Sequence, residues 1–262
     1  MGGIYNDVHK FDLALNCFEK ALKIRRKSNN KASIGVSLNN IGLIHSGRGN
    51  HVVALRYYKD SLKIKQDYKD HNGQAVTLDN IGCTYLSLGN ICEALRYTNK
   101  SLALSNKIGN IENVAVALNS MGSIYLKARK FDEAIKAFEE SIIISERTKN
   151  MLSHVTALNN LGNANSENLE YRKALDYFFK SFKMQRENTS IIFDFPEKIS
   201  AIAYRIAEIS YVHMRDYITT VPYAHFALKN FPDSDKYNLV NNITESIGSE
   251  RFELILSTYK IN

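Results

Sequence analysis

The chain has 262 residues, of which 44% are hydrophobic and 23% charged, a balance typical of folded globular proteins and not of disordered ones. No apolar run approaches the roughly 20 residues that span a bilayer, and the N-terminus lacks the basic and apolar regions of a signal peptide, so we expect a cytoplasmic protein without a membrane partner. Three cysteines without a C-x-x-C pair and seven histidines without metal-ligand spacing predict no disulfide, no metal site and no cofactor.

The formal net charge of +7 comes from one part of the chain. Residues 1–70 contain 13 Lys or Arg against 6 Asp or Glu, whereas residues 71–262 contain 21 of each. Most of the N-terminal cations, Lys59, Lys63 and Lys65 among them, fall on the polar sides of predicted helices, which favours a solvated surface. Helical repeats that read RNA need side chains in each unit that stack on and pair with bases, but the corresponding positions here carry Asn, Val and Ser with little aromatic or Arg content, so we expect no nucleic-acid partner.

A short phrase recurs every 40 residues, as SLNNIG at 37–42, TLDNIG at 77–82, ALNSMG at 117–122 and ALNNLG at 157–162. In each copy, apolar and small residues form two helical stripes separated by a turn such as GRGN at 47–50. The pattern predicts tandem pairs of antiparallel helices. The expected units are a partial repeat over 1–30 and full repeats over 31–70, 71–110, 111–150 and 151–188.

The glycines of the phrase need a physical reason, because a glycine inside a helix costs about 1 kcal/mol relative to alanine. Close approach of a neighbouring helix supplies that reason. Alanines in the second stripe fit the same crowded contact, and aromatic residues at 58, 138 and 178 can fill the space around the small ones. The sequence thus predicts small residues packed against large ones in successive repeats.

The register breaks after Ser190. Residues 189–195 are expected to form a linker, after which Pro196 is well placed to open a helix. Thr220 and Pro222 predict that its partner helix starts near 221. Two further amphipathic helices are predicted over 235–247 and 250–259, so that residues 196–262 form a divergent repeat-like unit with capping helices that close the stack.

The 40-residue pattern resembles the tetratricopeptide repeat (TPR) family. The resemblance implies an all-α fold, a right-handed superhelical solenoid of antiparallel helix pairs. The usual repeat of the family has 34 residues, so the chain is similar to its long-repeat branch, which includes kinesin light chains, the Pins/LGN adaptors, and bacterial TPR regulators and sensors.

In such a superhelix the first helix of each repeat lines a concave groove. The helical stripe places positions equivalent to 36, 39, 40 and 43 opposite the core. The predicted peptide-binding groove contains Asn39, Asn40, Leu43, Val76, Asp79, Asn80, Cys83, Asn119, Ser120, Ser123, Asn159, Asn160 and Asn163, together with Val36, Val116 and Thr156.

Asparagine can donate to and accept from a peptide backbone. The series Asn40, Asn80 and Asn160, which Ser120 interrupts, resembles an asparagine ladder by which a member of the family holds an extended peptide. The absence of Lys and Arg from these positions argues against the carboxylate-clamp subclass, which grips the C-terminal acid of chaperone tails.

No phosphate loop, nucleophile elbow or other catalytic constellation is present, so the chain is not expected to be an enzyme. We expect an interaction module or scaffold for a partner protein or peptide. The alternative is the sensory or regulatory region of a signalling protein, such as a histidine kinase or transcription regulator, whose output domain lies outside this chain. Because Met1 occupies the position of Ile41, the chain is expected to be a fragment of a longer array or to self-associate through residues 1–30.

Overall fold

The computed structural model describes residues 8–28, 31–187, 196–230, 232–259 and 261. Over these ranges the chain forms 13 α-helices and one π-helical turn, without a β-strand. The chain divides into two compact units, Met1–Ser153 and His154–Asn262, and each is described by itself. The all-α solenoid predicted from the sequence is confirmed, whereas residues 1–7 and 188–195, and with them the predicted linker, lie outside the described ranges.

The first unit is a series of helices of nearly constant length. After a 20-residue first helix, every helix has 17 residues. They are α1 (Val8–Lys27), α2 (Lys31–Gly47), α3 (His51–Asp67), α4 (His71–Ser87), α5 (Ile91–Lys107), α6 (Ile111–Lys127) and α7 (Phe131–Arg147).

The turns between these helices repeat every 20 residues, within and between the 40-residue units alike. From the end of α2 to the end of α7, each turn holds one residue in the left-handed conformation, at Gly49, Lys69, Gly89, Gly109, Arg129 and Lys149. In the first of them, Asn50 N donates to His45 O and Gly49 N donates to Ser46 O, which satisfies the last carbonyls of the helix. Side chains cap several of the helices that follow, as where Asp70 Oδ1 accepts from Gly73 N at 2.9 Å.

Within each 40-residue repeat, the two paired helices are in closest contact at the recurring glycine. A Cβ placed on Gly42 would lie 2.7 Å from the ring of Tyr58, and one on Gly122 would lie 2.5 Å from the ring of Phe138. At Gly82 the crowding atom is the Thr98 hydroxyl, 2.3 Å from such a Cβ. No real Cβ tolerates these separations, so the explanation of the glycines by close helix packing is confirmed.

The second unit starts within α8 and ends in a less regular series. Its helices are α8 (Met151–Glu167, which begins at the boundary), α9 (Tyr171–Glu187), α10 (Pro196–Ile209), α11 (Tyr217–Asn230), α12 (Ser234–Ile247) and α13 (Ser249–Thr258). The expected start at Pro196 is confirmed, and the last two helices fall within a residue or two of their predicted ranges.

The expected start of α11 near 221 is wrong. The preceding helix ends in a π-helical turn over Ser210–Met214, and Arg215 then adopts a left-handed conformation with φ of 54°. Asp216 follows as the capping residue, since its Oδ1 accepts from Thr219 N at 3.2 Å. Helix α11 therefore begins at Tyr217 and contains Pro222 in its interior.

Aromatic and aliphatic side chains from α9, α10 and α11 form the main core of the second unit. Phe178 and Phe182 pack against Ile202 and Ile206, and the ring of Phe182 lies edge-on to that of Tyr223 at 5.1 Å. A second cluster joins α11 to the two C-terminal helices through Val221, Ile243, Phe252 and Ile255. Burial of these faces explains why α12 and α13 are amphipathic.

Candidate functional site

The first helices of successive repeats lie side by side in the first unit, because α4 contacts both α2 and α6. Their outward positions carry exposed apolar side chains in register: Val36, Val76 and Val116 are 46%, 42% and 42% exposed. We call this face the inner surface. It consists of Val36, Asn39, Asn40, Leu43, Val76, Asp79, Asn80, Cys83, Val116, Asn119, Ser120 and Ser123.

The structure divides these residues into two rows. The outer row is open: Leu43 and Cys83 are exposed like the valines, and Asn40, Asn80, Asn119 and Ser123 are half-buried. Asn39 and Asp79 are only 6% exposed, and Ser120 is also buried. The expectation that all twelve positions face an open groove is therefore wrong for Asn39, Asp79 and Ser120, because these side chains lie between adjacent first helices: Asn39 contacts α4, and Asp79 on α4 contacts Ser120 on α6.

Asn39 is buried because it bonds the following repeat. Its Oδ1 accepts from Asn80 Nδ2 at 3.1 Å and lies 3.1 Å from the hydroxyl of Thr77. The side-chain amide of Asn80 thus donates one hydrogen bond to the preceding first helix. The repeated asparagine therefore has a structural role in addition to any role in binding. The sequence shows only one apolar stripe per helix, whereas a first helix inside the stack is buried on further sides by its neighbours.

Lys65 extends this junction. Its Nζ donates to Thr77 Oγ1 at 2.8 Å and to the carbonyl of Gly73 at 3.2 Å. Burial lowers the pKa of the Lys65 ammonium, with the charge of Asp70 acting in the opposite direction. The expectation that Lys65 faces solvent is wrong, while Lys59 and Lys63 are exposed as predicted.

The next junction is built differently. Ser120 Oγ on α6 donates to Asp79 Oδ2 at 3.0 Å, and the Cys83 thiol lies 3.9 Å from the same oxygen. Asp79 Oδ1 is buried without a hydrogen-bond partner among the described residues. Burial raises the pKa of this carboxyl to about 7, and the bond from Ser120 offsets only part of that effect.

In the second unit, three predicted site residues lie on α8. Asn159, Asn160 and Asn163 are half-buried, and Thr156 is exposed. Asn159 Oδ1 is buried and makes no hydrogen bond to the described residues. That these residues of α8 bind a peptide stays a prediction.

A second series of repeated polar residues escaped the sequence analysis. Ser61, Ser101 and Ser141 on the second helices are buried, and each donates to a backbone carbonyl of the paired first helix. The acceptors are the carbonyls of Gly35, Ala75 and Ala115, at 2.7, 2.8 and 2.8 Å. Their 40-residue spacing was a readable signal, but serine is so common on helix surfaces that its recurrence alone does not indicate burial.

The described residues contain no group of three His, Cys, Asp or Glu side chains arranged to hold a metal ion. Nor does any helix in those ranges have the length and apolar character needed to cross a membrane. The chemistry that the inner surface does offer is apolar contact, amide hydrogen bonding and one carboxylate.

Comparison with known protein families gives three matches to the tetratricopeptide repeat model, over residues 1–67, 38–107 and 113–187. These matches cover more than half of the chain. It belongs to the tetratricopeptide repeat family. No curated protein matches this TPR chain significantly in sequence.

Several solved structures share the TPR fold at low identity. BtubC (BKLC) from P. vanneervenii is 14% identical with a TM-score of 0.61, over 96% of this chain and 94% of that one. A Rap protein complexed with competence and sporulation factor is 13% identical with a TM-score of 0.68, over 96% and 72% of the two chains. A putative kinesin light chain from Podosopora anserina is 13% identical with a TM-score of 0.57, over 84% and 99%.

Proposed function

We propose that this TPR chain is a protein-interaction module that holds an extended segment of a partner on the inner surface of its first unit. The observation that carries the proposal is the row of exposed valines at 36, 76 and 116. A β-branched residue does not favour a helix, yet each of three repeats places one at the same position, where the described part of the chain leaves it exposed.

The chemistry of the row fits a polypeptide. The valines provide apolar contact, while the half-buried amides of Asn80 and Asn119 lie beside them and offer donors and acceptors to a backbone. Neighbouring helices pack 8–10 Å apart, so three first helices extend over roughly 20 Å, which about six residues of extended chain would cover. Burial of these valines in a complex would contribute through the hydrophobic effect.

The TPR fold supports binding of proteins in general, and the named Rap structure is itself a complex with competence and sporulation factor. A segment that uses backbone hydrogen bonds and apolar contacts needs no strict sequence. A regulatory region joined to a separate output domain remains the alternative, and a binding surface of this kind would serve it equally.

A displayed library of random peptides of about ten residues tests the proposal. We expect the native protein to enrich peptides over the starting library, and Val76→Lys to abolish the enrichment by placing a charge in the valine row. Val52→Lys is the matched control, because Val52 is 76% exposed on α3, away from the inner surface, and the variant carries the same added charge. Equal enrichment by the two variants would place binding elsewhere.

A further inference from the structure

Asp79 is the one charged residue among the twelve that form the inner surface. It lies on α4 between Val76 and Cys83, three residues after the first and four before the second, so all three share one helix face. Both of these neighbours are exposed. The carboxylate therefore lies at the floor of the surface, beneath side chains that are open to a ligand.

The carboxylate is incompletely bonded. One of its oxygens accepts from Ser120, and the other has no partner among the described residues. A buried carboxylate normally has a cation or several donors around it, and an isolated one costs free energy. The raised pKa of Asp79 is consistent with this absence of a compensating charge.

Comparison of equivalent positions shows that folding does not require the charge. The other repeats have asparagine at this position, as Asn39, Asn119 and Asn159. Asn39 completes its junction with a neutral amide oxygen that accepts from Asn80. An isosteric amide at position 79 could accept from Ser120 in the same way. The negative charge at this one repeat is therefore better explained by an interaction with a bound ligand than by folding.

We propose that the segment bound on the inner surface presents a lysine or arginine to Asp79, flanked by apolar side chains that contact Val76 and Val116. This inference rests on the function proposed above. The stem of a lysine or arginine is apolar and can lie along the valines while its charged head reaches the floor. The buried oxygen becomes available through a turn of the Asp79 side chain, a change of the size that commonly accompanies binding.

The test selects the same peptide library on the native protein and on Asp79→Asn. We expect native selection to enrich Lys or Arg at one position between apolar residues, and Asp79→Asn to select peptides without that preference. Asn39→Asp is the complementary variant: it places a carboxylate one repeat earlier and should add a second basic position. Circular dichroism checks that each variant keeps its helices.

A selected peptide then allows a quantitative measurement. Replacing its lysine by norleucine should weaken binding to the native protein about tenfold, measured by fluorescence polarisation, and binding to Asp79→Asn less than about twofold. The preference for lysine in the native protein should be larger at pH 8 than at pH 6, where Asp79 takes up a proton. Cys83 is exposed as a residue, but its sulfur is enclosed beside the same carboxylate; desolvation of the sulfur and the Asp79 charge raise the pKa of the thiol to about 12, so it stays protonated.

The outcomes separate the two proposals. If both proteins select peptides but neither prefers a basic residue, or if norleucine weakens binding to both equally, the role of Asp79 is overturned and the peptide-binding function stands. If neither protein selects any peptide, the function fails, and the inference about Asp79 fails with it.

Discussion

Two successive junctions between repeats are built on the same backbone and differ in their polar chemistry. Between residues 31–70 and 71–110, Lys65 and Asn39 meet at the hydroxyl of Thr77, and each of the three is hydrogen-bonded. Between residues 71–110 and 111–150, the equivalent of Lys65 is Ser105, whose buried hydroxyl has no partner among the described residues. The carboxylate of Asp79 is likewise only half bonded there.

This difference shows that a repeat array can vary its junctions while its helices stay in register. The first junction uses a buried cation, Lys65, that donates to two oxygens of the following repeat. The second leaves two buried polar groups unsatisfied among the described residues, Asp79 Oδ1 on the inner surface and the hydroxyl of Ser105 on α5. Unsatisfied buried groups are costly for folding and are typical of positions that serve a ligand.

The largest loss of stability is expected from substitutions inside the repeats. These substitutions test whether the repeats are alike in their interiors and differ only at the junctions between them. Gly122→Ala should lower the free energy of unfolding by about 3 kcal/mol, because the new Cβ meets the Phe138 ring. Gly42→Ala should lower the free energy of unfolding by a similar amount, because its Cβ would meet the ring of Tyr58. Urea denaturation measures both.

The matched control is Gly35→Ala, whose Cβ would meet its neighbours at an ordinary 3.4 Å and should change stability by no more than about 1 kcal/mol. Unequal losses of stability for Gly42→Ala and Gly122→Ala would mean that the repeats also differ in their interiors. The difference between the two junctions would then not be explained by their polar residues alone.

The next effect distinguishes the junctions directly. Thr77→Val keeps the shape of the side chain but removes the hydroxyl that accepts a hydrogen bond from the Lys65 ammonium. It should lower the free energy of unfolding by about 2 kcal/mol. Thr77→Ser, which keeps the hydroxyl, should cost about 0.8 kcal/mol for the lost methyl group.

Ser105→Ala is the counterpart in the second junction and should be neutral or stabilising, because it removes a hydroxyl that has no partner. Equal losses for Thr77→Val and Ser105→Ala in thermal or urea unfolding would show that the two junctions do not differ in the way described.

A smaller effect concerns the asparagines. Asn80→Ala should reduce stability by about 1 kcal/mol, since it removes the bond to Asn39, although alanine favours the helix. A double-mutant cycle with Asn39→Ala should give a coupling free energy of about 1 kcal/mol. Strict additivity would show that the two amides do not act together and that Asn80 is free to serve a ligand alone.

Much of this fold follows from the sequence for a simple reason: contacts between small and large residues repeat with the period of the backbone. The pairs of Gly122 with Phe138 and of Gly42 with Tyr58 made the helix pairs predictable. Charge and polarity were less reliable guides, because Lys65 and Asp79 are polar but buried by helices that one amphipathic stripe does not reveal.

The C-terminal boundary shows the same limit. Thr220 and Pro222 both favour a helix start, yet the capping residue is Asp216, which follows a left-handed Arg215. The π-helical turn before it has no sequence signature. Local propensity was overridden there by the packing of α10 and α11.

The second junction contains a carboxylate that no buried cation compensates among the described residues, and the pH dependence of stability measures its cost. An aspartate in an unfolded chain ionises near pH 4, whereas burial raises the pKa of Asp79 to about 7. The folded chain therefore holds a proton that the unfolded chain has lost between these values. The contribution of Asp79 to the free energy of unfolding accordingly falls as pH rises from about 4 to about 7 and stays low above that.

Urea denaturation of the native protein and Asp79→Asn at pH 5 and pH 8 tests this directly. We expect Asp79→Asn to be more stable than the native protein at pH 8 by at least about 1 kcal/mol, and this difference to shrink at pH 5. A variant that is less stable than the native protein at pH 8, with the same difference at pH 5, would show that the carboxylate is already compensated in the folded chain and would contradict the account.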